Sequence, residues 1–256
     1  MNNFINSLKE KGINLSDTQI NQFELFYNDI VEKNKVMNLT RITSREDAYY
    51  LHFFDSLMVF LGMDDKTSSI LDVGTGAGFP GIPLKIAFSQ LSVTMIESIG
   101  KKAKFVEEEI LKLHLENARI INKRAEDFSE FESFDYATSR AVAELKIMLP
   151  YTIPFLKIGG IFIAMKSTLK AEQEINDAKT LMKKLNCSVE KVIPYTVLDR
   201  SYCLVLIKKN SKTPSGYPKP IHKEKHNGWD YNYCWRRYLS TEKITSLWMW
   251  YLRSCS

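Results

Sequence analysis

The run Ile70-Leu71-Asp72-Val73-Gly74-Thr75-Gly76-Ala77-Gly78-Phe79-Pro80-Gly81 decides how this chain folds. Residues 70–73 form a short apolar run of the kind that buries as a central strand, and it ends on glycines at alternate positions. Such glycines let the backbone turn sharply and approach a ligand closely where a strand hands over to a helix. Read from Gly76, the run also fits G-x-G-x-x-G, the dinucleotide pattern. Glu97 closes the next apolar run, 21 residues after Gly76. A carboxylate there can accept hydrogen bonds from two ribose hydroxyls of an adenosine-containing cofactor.

Outward from this loop, short apolar runs alternate with amphipathic stretches. The pattern predicts strands over 70–73, 93–97, 118–122, 134–138 and 160–166, with helices over 81–88, 101–113 and 170–185. Strands separated by helices imply a parallel, doubly wound α/β sheet. Two further runs, 189–195 and 202–208, are joined only through Asp199-Arg200, a link too short for a parallel crossover, so they are expected to pair as an antiparallel hairpin. Upstream, the chain reads as helical. Phe4, Ile5 and Leu8 recur at helical spacing, Ser16 with Gln19 has the form of a capping box, and Phe23, Phe26, Tyr27 and Ile30 continue an apolar stripe. Ser44 followed by Asp47 marks a second start, leading through Tyr50, Phe53, Phe54 and Leu57. Three segments are therefore expected: a helical 1–65, a cofactor-binding core over 66–210, and an extension over 211–256.

Composition separates the extension from the rest. Residues 212–256 carry eight Lys/Arg against three Asp/Glu and hold all four tryptophans, whereas the 27 basic and 27 acidic residues of 1–211 cancel. A balanced body gives no support to RNA binding argued from bulk charge. Interleaved Trp229, Tyr231, Tyr233, Trp235, Arg236, Arg237 and Tyr238 suit stacking on bases, with an extension that merely packs as the plainer reading. No run of eighteen apolar residues is present, and the first residues lack a basic stretch leading into an apolar one, so neither a membrane span nor a secretory signal is expected. The four cysteines are scattered without Cys-x-x-Cys, which points to reduced thiols of a cytoplasmic protein and to no metal site.

Two ligands compete for the glycine turn, a nicotinamide dinucleotide and S-adenosylmethionine. Asp72, placed just before the glycines, suits a ligand with an ammonium group better than a pyrophosphate. The terminal hairpin resembles the seven-stranded, Rossmann-like sheet of class I S-adenosylmethionine-dependent methyltransferases rather than a six-stranded parallel sheet. After the fourth strand stands Thr138-Ser139-Arg140-Ala141-Val142, with neither the Asn/Asp-Pro-Pro-Tyr/Phe loop typical of exocyclic-amine methylation nor the cysteine that pyrimidine C5 chemistry requires. Guanine N7 presents an in-plane lone pair and loses no proton, so it needs no general base, and no catalytic residue is nominated.

Asn38-Leu39-Thr40-Arg41-Ile42, His52-Phe53-Phe54-Asp55-Ser56-Leu57, the glycine run extended to Pro83, Arg124-Ala125-Glu126, Ser139-Arg140-Ala141-Val142 and 212–218 occur in this order. Together they resemble the bacterial ribosomal RNA small subunit methyltransferase G family, also called glucose-inhibited division protein B, from about residue 3 to Pro218. The resemblance implies methylation of guanine N7 at nucleotide 527, in the 530 loop of 16S ribosomal RNA, on the 30S subunit; a monomer is expected. It further implies that Gly74 and Phe79 line the cofactor pocket, with Gly76 in the same loop, that Ala125 and Glu126 meet adenine, and that Arg140 lies beside cofactor and RNA. Each has a plainer reading: Phe79 as core, Glu126 as a helix cap, Arg140 as surface. Asn38, Arg41, His52, Asp55 and Lys166 are candidate RNA contacts; for His52 and Asp55 a mutual hydrogen bond is the alternative, and for Asn38, Thr40 and Arg41 a helix cap. Arg41, Arg45, Lys101, Lys102 and Arg200 are candidate phosphate contacts. A catalytically silent ribosome-assembly module stands as a further alternative.

Overall fold

The computed structural model describes residues 1–37, 39 and 44–218. Asn38, Thr40 and Arg41 and the aromatic-basic stretch from 219 onward lie outside the described residues. Met1–Lys219 forms one compact unit. The helices are α1 (Asn2–Glu10), α2 (Asp17–Met37), α3 (Arg45–Asp47), α4 (Asp55–Leu57), α5 (Gly81–Ala87), α6 (Gly100–Lys112), α7 (Leu145–Met148) and α8 (Thr168–Lys184). The strands are β1 (Ser69–Val73), β2 (Ser92–Ile96), β3 (Ala118–Ile121), β4 (Phe134–Arg140), β5 (Leu156–Ser167), β6 (Cys187–Val197) and β7 (Arg200–Lys209).

One sheet runs β3-β2-β1-β4-β5-β7-β6. Pairs β3–β2, β2–β1, β1–β4 and β4–β5 are parallel, and β7 runs antiparallel to both β5 and β6. The expected hairpin is present. By inserting β7 between β5 and β6 it gives the class I methyltransferase arrangement, not the six-stranded parallel sheet of the nicotinamide alternative. Pro194 sits within β6, and that strand pairs only with β7, so its missing N–H falls on the outer side of the sheet. From β1 the chain moves outward through β2 to β3, then returns to β4 on the other side of β1. The carboxyl ends of β1 and β4 therefore flank a topological switch point, where open α/β sheets bind ligands.

The two faces are covered by different helices. On one, Phe4 and Leu8 of α1 and Phe23, Phe26 and Ile30 of α2 join Phe53, Phe79, Phe105 and the inward side chains of β1 and β2 in a single cluster. Ring centroids 5.2 to 5.7 Å apart run from Phe4 to Phe23, on to Phe53, Phe26 and finally Phe79. Each buried phenyl contributes about 1.5–3 kcal/mol, so this chain of rings docks the N-terminal helices firmly on the glycine loop. On the other face, Leu145, Met148, Ala171, Ala178 and Met182 of α7 and α8 pack on β4, β5 and β7. The capping box forms: Ser16 N–H donates to Gln19 Oε1 at 2.8 Å and Gln19 N–H to Ser16 Oγ at 3.3 Å. The second start also holds, with Asp47 N–H donating to Ser44 Oγ at 3.1 Å. Beyond that start the chain does not continue as an ordinary α-helix. Ala48–Phe54 is a π-helix, with Asp55 N–H reaching back five residues to the carbonyl of Tyr50. π-Turns often mark functional sites. Among the described residues no helix is long and apolar enough to cross a membrane.

Candidate active site

The glycine loop is held from below. Gly74 and Thr75 N–H groups donate to the Ile96 carbonyl at 2.9 and 3.1 Å, and Phe79 N–H donates to the Thr75 carbonyl at 2.8 Å. Gly74, Gly76 and Gly78 have φ of +77°, +63° and +94°, the left-handed region that side chains resist. A Cβ built on Gly76 would meet nothing within 4 Å, so the loop opens there onto free space. Glu97 reaches into this turn from the end of β2. Its Oε2 accepts from Gly76 N–H at 3.0 Å and its Oε1 from Ile99 N–H at 2.7 Å, while Asn122 Nδ2 donates to its carbonyl at 2.7 Å. Each carboxylate oxygen keeps a lone pair for a ligand hydroxyl.

Asp72 lies deeper than expected of an ammonium partner. It is fully buried, and Oδ2 accepts from Gly81 N–H at 2.9 Å. Its Oδ1 has no hydrogen-bond partner among the described residues. Burial pushes its carboxyl up to about 7. Asp72 thus ties the end of the loop to β1, with the Thr75 hydroxyl beside its carboxyl drawing it back down. The open face at Gly76 and the bonded Glu97 carboxylate fit an adenosine cofactor.

Arg140, the last residue of β4, turns towards the N-terminal helices. Its guanidinium meets Asp55 Oδ2 at 3.3 Å, Ser56 Oγ at 3.0 Å, the Leu51 and His52 carbonyls at 2.9 and 3.2 Å, and His52 Nδ1 at 2.8 Å. It also lies over the Phe79 ring, 5.3 Å from its centroid. Tyr195 Oη donates to Asp55 Oδ1 at 2.8 Å, drawing β6 into the same network. The His52 ring stacks on Phe79 with centroids 4.7 Å apart. Burial, reinforced by the facing Arg140 charge, lowers the His52 imidazole to about 3, so it is neutral and its Nδ1 accepts from Arg140. The π-turn brings His52 and Asp55 onto one guanidinium in place of the hydrogen bond between them that their spacing suggests.

The other nominated residues divide between crevice and scaffold. Ala125 and Glu126 form a 3-10 turn after β3, on the same sheet edge as Glu97, and Glu126 lies 3.8 Å from Arg124 with its side chain mostly covered. Phe79 is both core and loop, almost buried yet carrying His52 on one face. Lys101 and Arg200 are exposed on that edge, after β2 and at the β6–β7 tip. Arg45 is paired with Glu24 and stacks on Tyr27 and Tyr49, which makes it a helix brace. Lys166 points inward: its Nζ is bound to Glu174 at 2.7 Å and to the Ala143 carbonyl at 2.6 Å, with 11% of the side chain exposed. Tyr195 and Glu174 carry no sequence signal, because each acts across 29 or more residues of separation, and Ser56 enters only as part of the quoted 52–57 motif. A cavity of about 650 Å³ lies at the opposite edge of the sheet. It is lined by the Lys157–Asp135 and Lys208–Glu190 pairs together with Asp64 and Lys191, at the end of the strands away from the glycine loop.

Known proteins share the sequence and the fold. The family model described as rRNA small subunit methyltransferase G matches residues 19–201. Ribosomal RNA small subunit methyltransferase G of Leuconostoc citreum is 38% identical over 224 residues, covering 84% of this chain and 93% of that protein. Its counterpart in Lactococcus lactis is 41% identical over the same span and coverage. Among solved structures, a SAM-dependent methyltransferase from Aquifex aeolicus covers 70% of this chain and 98% of its own at 15% identity and a TM-score of 0.52. An O-methyltransferase from Bacillus cereus in complex with SAH covers 72% and 90% at 17% identity and 0.51. These distant matches establish the fold, and the close sequence relatives with the family model establish that the chain belongs to the rRNA small subunit methyltransferase G family.

Proposed function

We propose that this chain transfers the methyl group of S-adenosylmethionine to N7 of guanine 527 in the 530 loop of 16S ribosomal RNA, acting on the 30S subunit as a cytoplasmic monomer. The observation that carries the reading is a cofactor cradle beside which, among the described residues, no free base stands. Gly74, Gly76 and Glu97 fit the adenosine of the donor, on a loop that Asp72 ties to β1. The segment after β4 holds no cysteine and no Pro-Pro pair, and its one carboxylate, Glu144, stands half-buried at the start of α7, paired with Lys146. His52, the histidine stacked beside the loop, is neutral with its Nδ1 occupied by Arg140.

Bound S-adenosylmethionine supplies an electrophilic methyl carbon on a sulfonium. Glu97 would accept the ribose hydroxyls and Ala125 and Glu126 would border the adenine, while Asp72, bonded to Gly81 N–H, holds the loop in the shape that receives the amino end. Phe79 and His52 close the apolar side of the crevice against water. Arg140 holds the π-helix over the loop. An in-line displacement then depends on positioning, which alone supplies as much as about 7–11 kcal/mol of a barrier. N7 enters with its lone pair in the ring plane and gives up no proton, consistent with the missing base. The intact glycine turn and clasped Glu97 count against the silent assembly-module alternative.

The test is transfer of labelled methyl groups to 30S subunits lacking the modification, followed by N7-specific chain cleavage. The expected result is one cleavage site in the 530 loop. Label on an exocyclic amine, or no label from a folded sample, rejects the assignment.

A further inference from the structure

We propose that Val142 is the platform against which the acceptor base lies, and that the buried Lys166–Glu174 pair is the brace that presents it. This rests on the methyl-transfer reading above. Four strand ends stand in a row along the carboxyl edge: Ala125 and Glu126 after β3, Glu97 after β2, Gly74 after β1 and Val142 after β4. The first three serve the adenine, the ribose and the reacting end of the cofactor. The next position along that row, across the switch point, belongs to whatever receives the methyl group.

The turn at that position is built to hold one shape. Ala141 has φ +53°, a left-handed conformation that an alanine resists. Such strain persists only where the surroundings over-determine it. Here both flanks are clamped by charged groups. On one side Arg140 is fastened to Leu51, His52, Asp55 and Ser56. On the other, Lys166 Nζ donates to the Ala143 carbonyl at 2.6 Å and Leu145 N–H donates to Glu174 Oε2 at 2.9 Å. Lys166 and Glu174 are themselves paired at 2.7 Å, with side chains only 11% and 14% exposed.

Between these clamps Val142 projects onto Gly74. A Cβ on Gly74 would come within 2.8 Å of Val142 Cγ2, so loop and side chain are in direct apposition, yet Val142 remains 36% exposed. A β-branched side chain has little rotamer freedom. It therefore offers a firm apolar surface for one face of a purine, beside the loop that holds the methyl donor.

The full-length chain with Val142→Ala, and separately with Lys166→Met, is assayed on unmodified 30S subunits, with S-adenosylhomocysteine affinity measured by calorimetry. Val142→Ala is expected to lower kcat roughly tenfold to a hundredfold, the effect of misplacing a reactant by up to an ångström, with Kd for S-adenosylhomocysteine unchanged. Val142→Ile is expected to recover most of the loss. Lys166→Met is expected to lower kcat while the slope of log RNA affinity against log salt stays at the wild-type value. Full kcat in Val142→Ala, or a loss of kcat matched by a loss of S-adenosylhomocysteine affinity, overturns the platform. A salt slope reduced by about one in Lys166→Met makes Lys166 a phosphate contact and overturns the brace. A wild-type chain that transfers no methyl group fails the parent reading instead, and this inference with it.

Discussion

Replacing Arg140 with methionine separates a brace from a ligand contact. The guanidinium satisfies five acceptors within 3.3 Å, and the Arg140 and Asp55 side chains are only 15% and 11% exposed, so water screens the pair little. Removing one partner of such a buried pair destabilises by about 3–5 kcal/mol. For a domain of this size that is a fall in Tm of roughly 6–20 °C. The pH dependence has a definite sign. Burial already raises the Asp55 carboxyl, and Arg140 pulls it back down. Without Arg140 its folded pKa lies further above the unfolded value, and an acid so shifted loses stability as pH rises. The deficit of Arg140→Met therefore grows as pH rises above the range in which an unfolded Asp55 carboxyl titrates. In the double variant Arg140→Met/Asp55→Asn no charge is stranded, and part of the loss returns. Thermal and urea unfolding of the single and double variants measure this. A fall in Tm below about 2 °C for Arg140→Met, or strictly additive losses, refutes the brace.

Gly76→Ala places a methyl group in open space, so its stability loss is limited to the strain of a left-handed alanine, about 1–2 kcal/mol, while stabilisation by S-adenosylhomocysteine in thermal unfolding disappears. Retention of the full ligand-induced shift contradicts the loop's role. Gly78→Ala meets Ile82 Cδ1 at 2.5 Å besides its φ of +94° and is expected to unfold at a lower temperature than Gly76→Ala. Asp72 holds its proton longer folded than unfolded, its carboxyl moving from 3.8 to about 7, so this group's contribution to stability falls as pH rises through that window, by roughly 4 kcal/mol in all. Asp72→Asn is expected to flatten that part of the stability profile; parallel profiles for variant and wild type over pH 4 to 7 argue against a buried, protonated Asp72.

Local devices were legible in the sequence. Alternate glycines, a carboxylate at the end of the second strand and a link too short for a crossover each depend on neighbouring residues, and loop, Glu97 and hairpin form as expected. Boundaries moved where tertiary pairing extends an element: β5 begins at Leu156, four residues before its apolar run suggests, because it pairs with Phe134. The roles of charged side chains were less legible. Arg140 stands where a strand end opens on the crevice, but a buried carboxylate, a serine hydroxyl and two π-helix carbonyls 84 to 89 residues earlier capture it. Lys166 reads as a strand-end cation free for phosphate, and only the arrival of α8 reveals Glu174 as its partner. The π-turn itself has no local signature; it is fixed by where Phe53 and His52 must pack.

The central claim is that the turn from Val73 to Gly81 binds the spent methyl donor at the carboxyl edge of the sheet. Calorimetric titration of the folded full-length chain with S-adenosylhomocysteine, with NAD in a parallel run, tests it most directly. Saturable heat from S-adenosylhomocysteine, abolished in Gly76→Ala, and none from NAD is the predicted result. Silence with S-adenosylhomocysteine, or saturable heat from NAD, would contradict it.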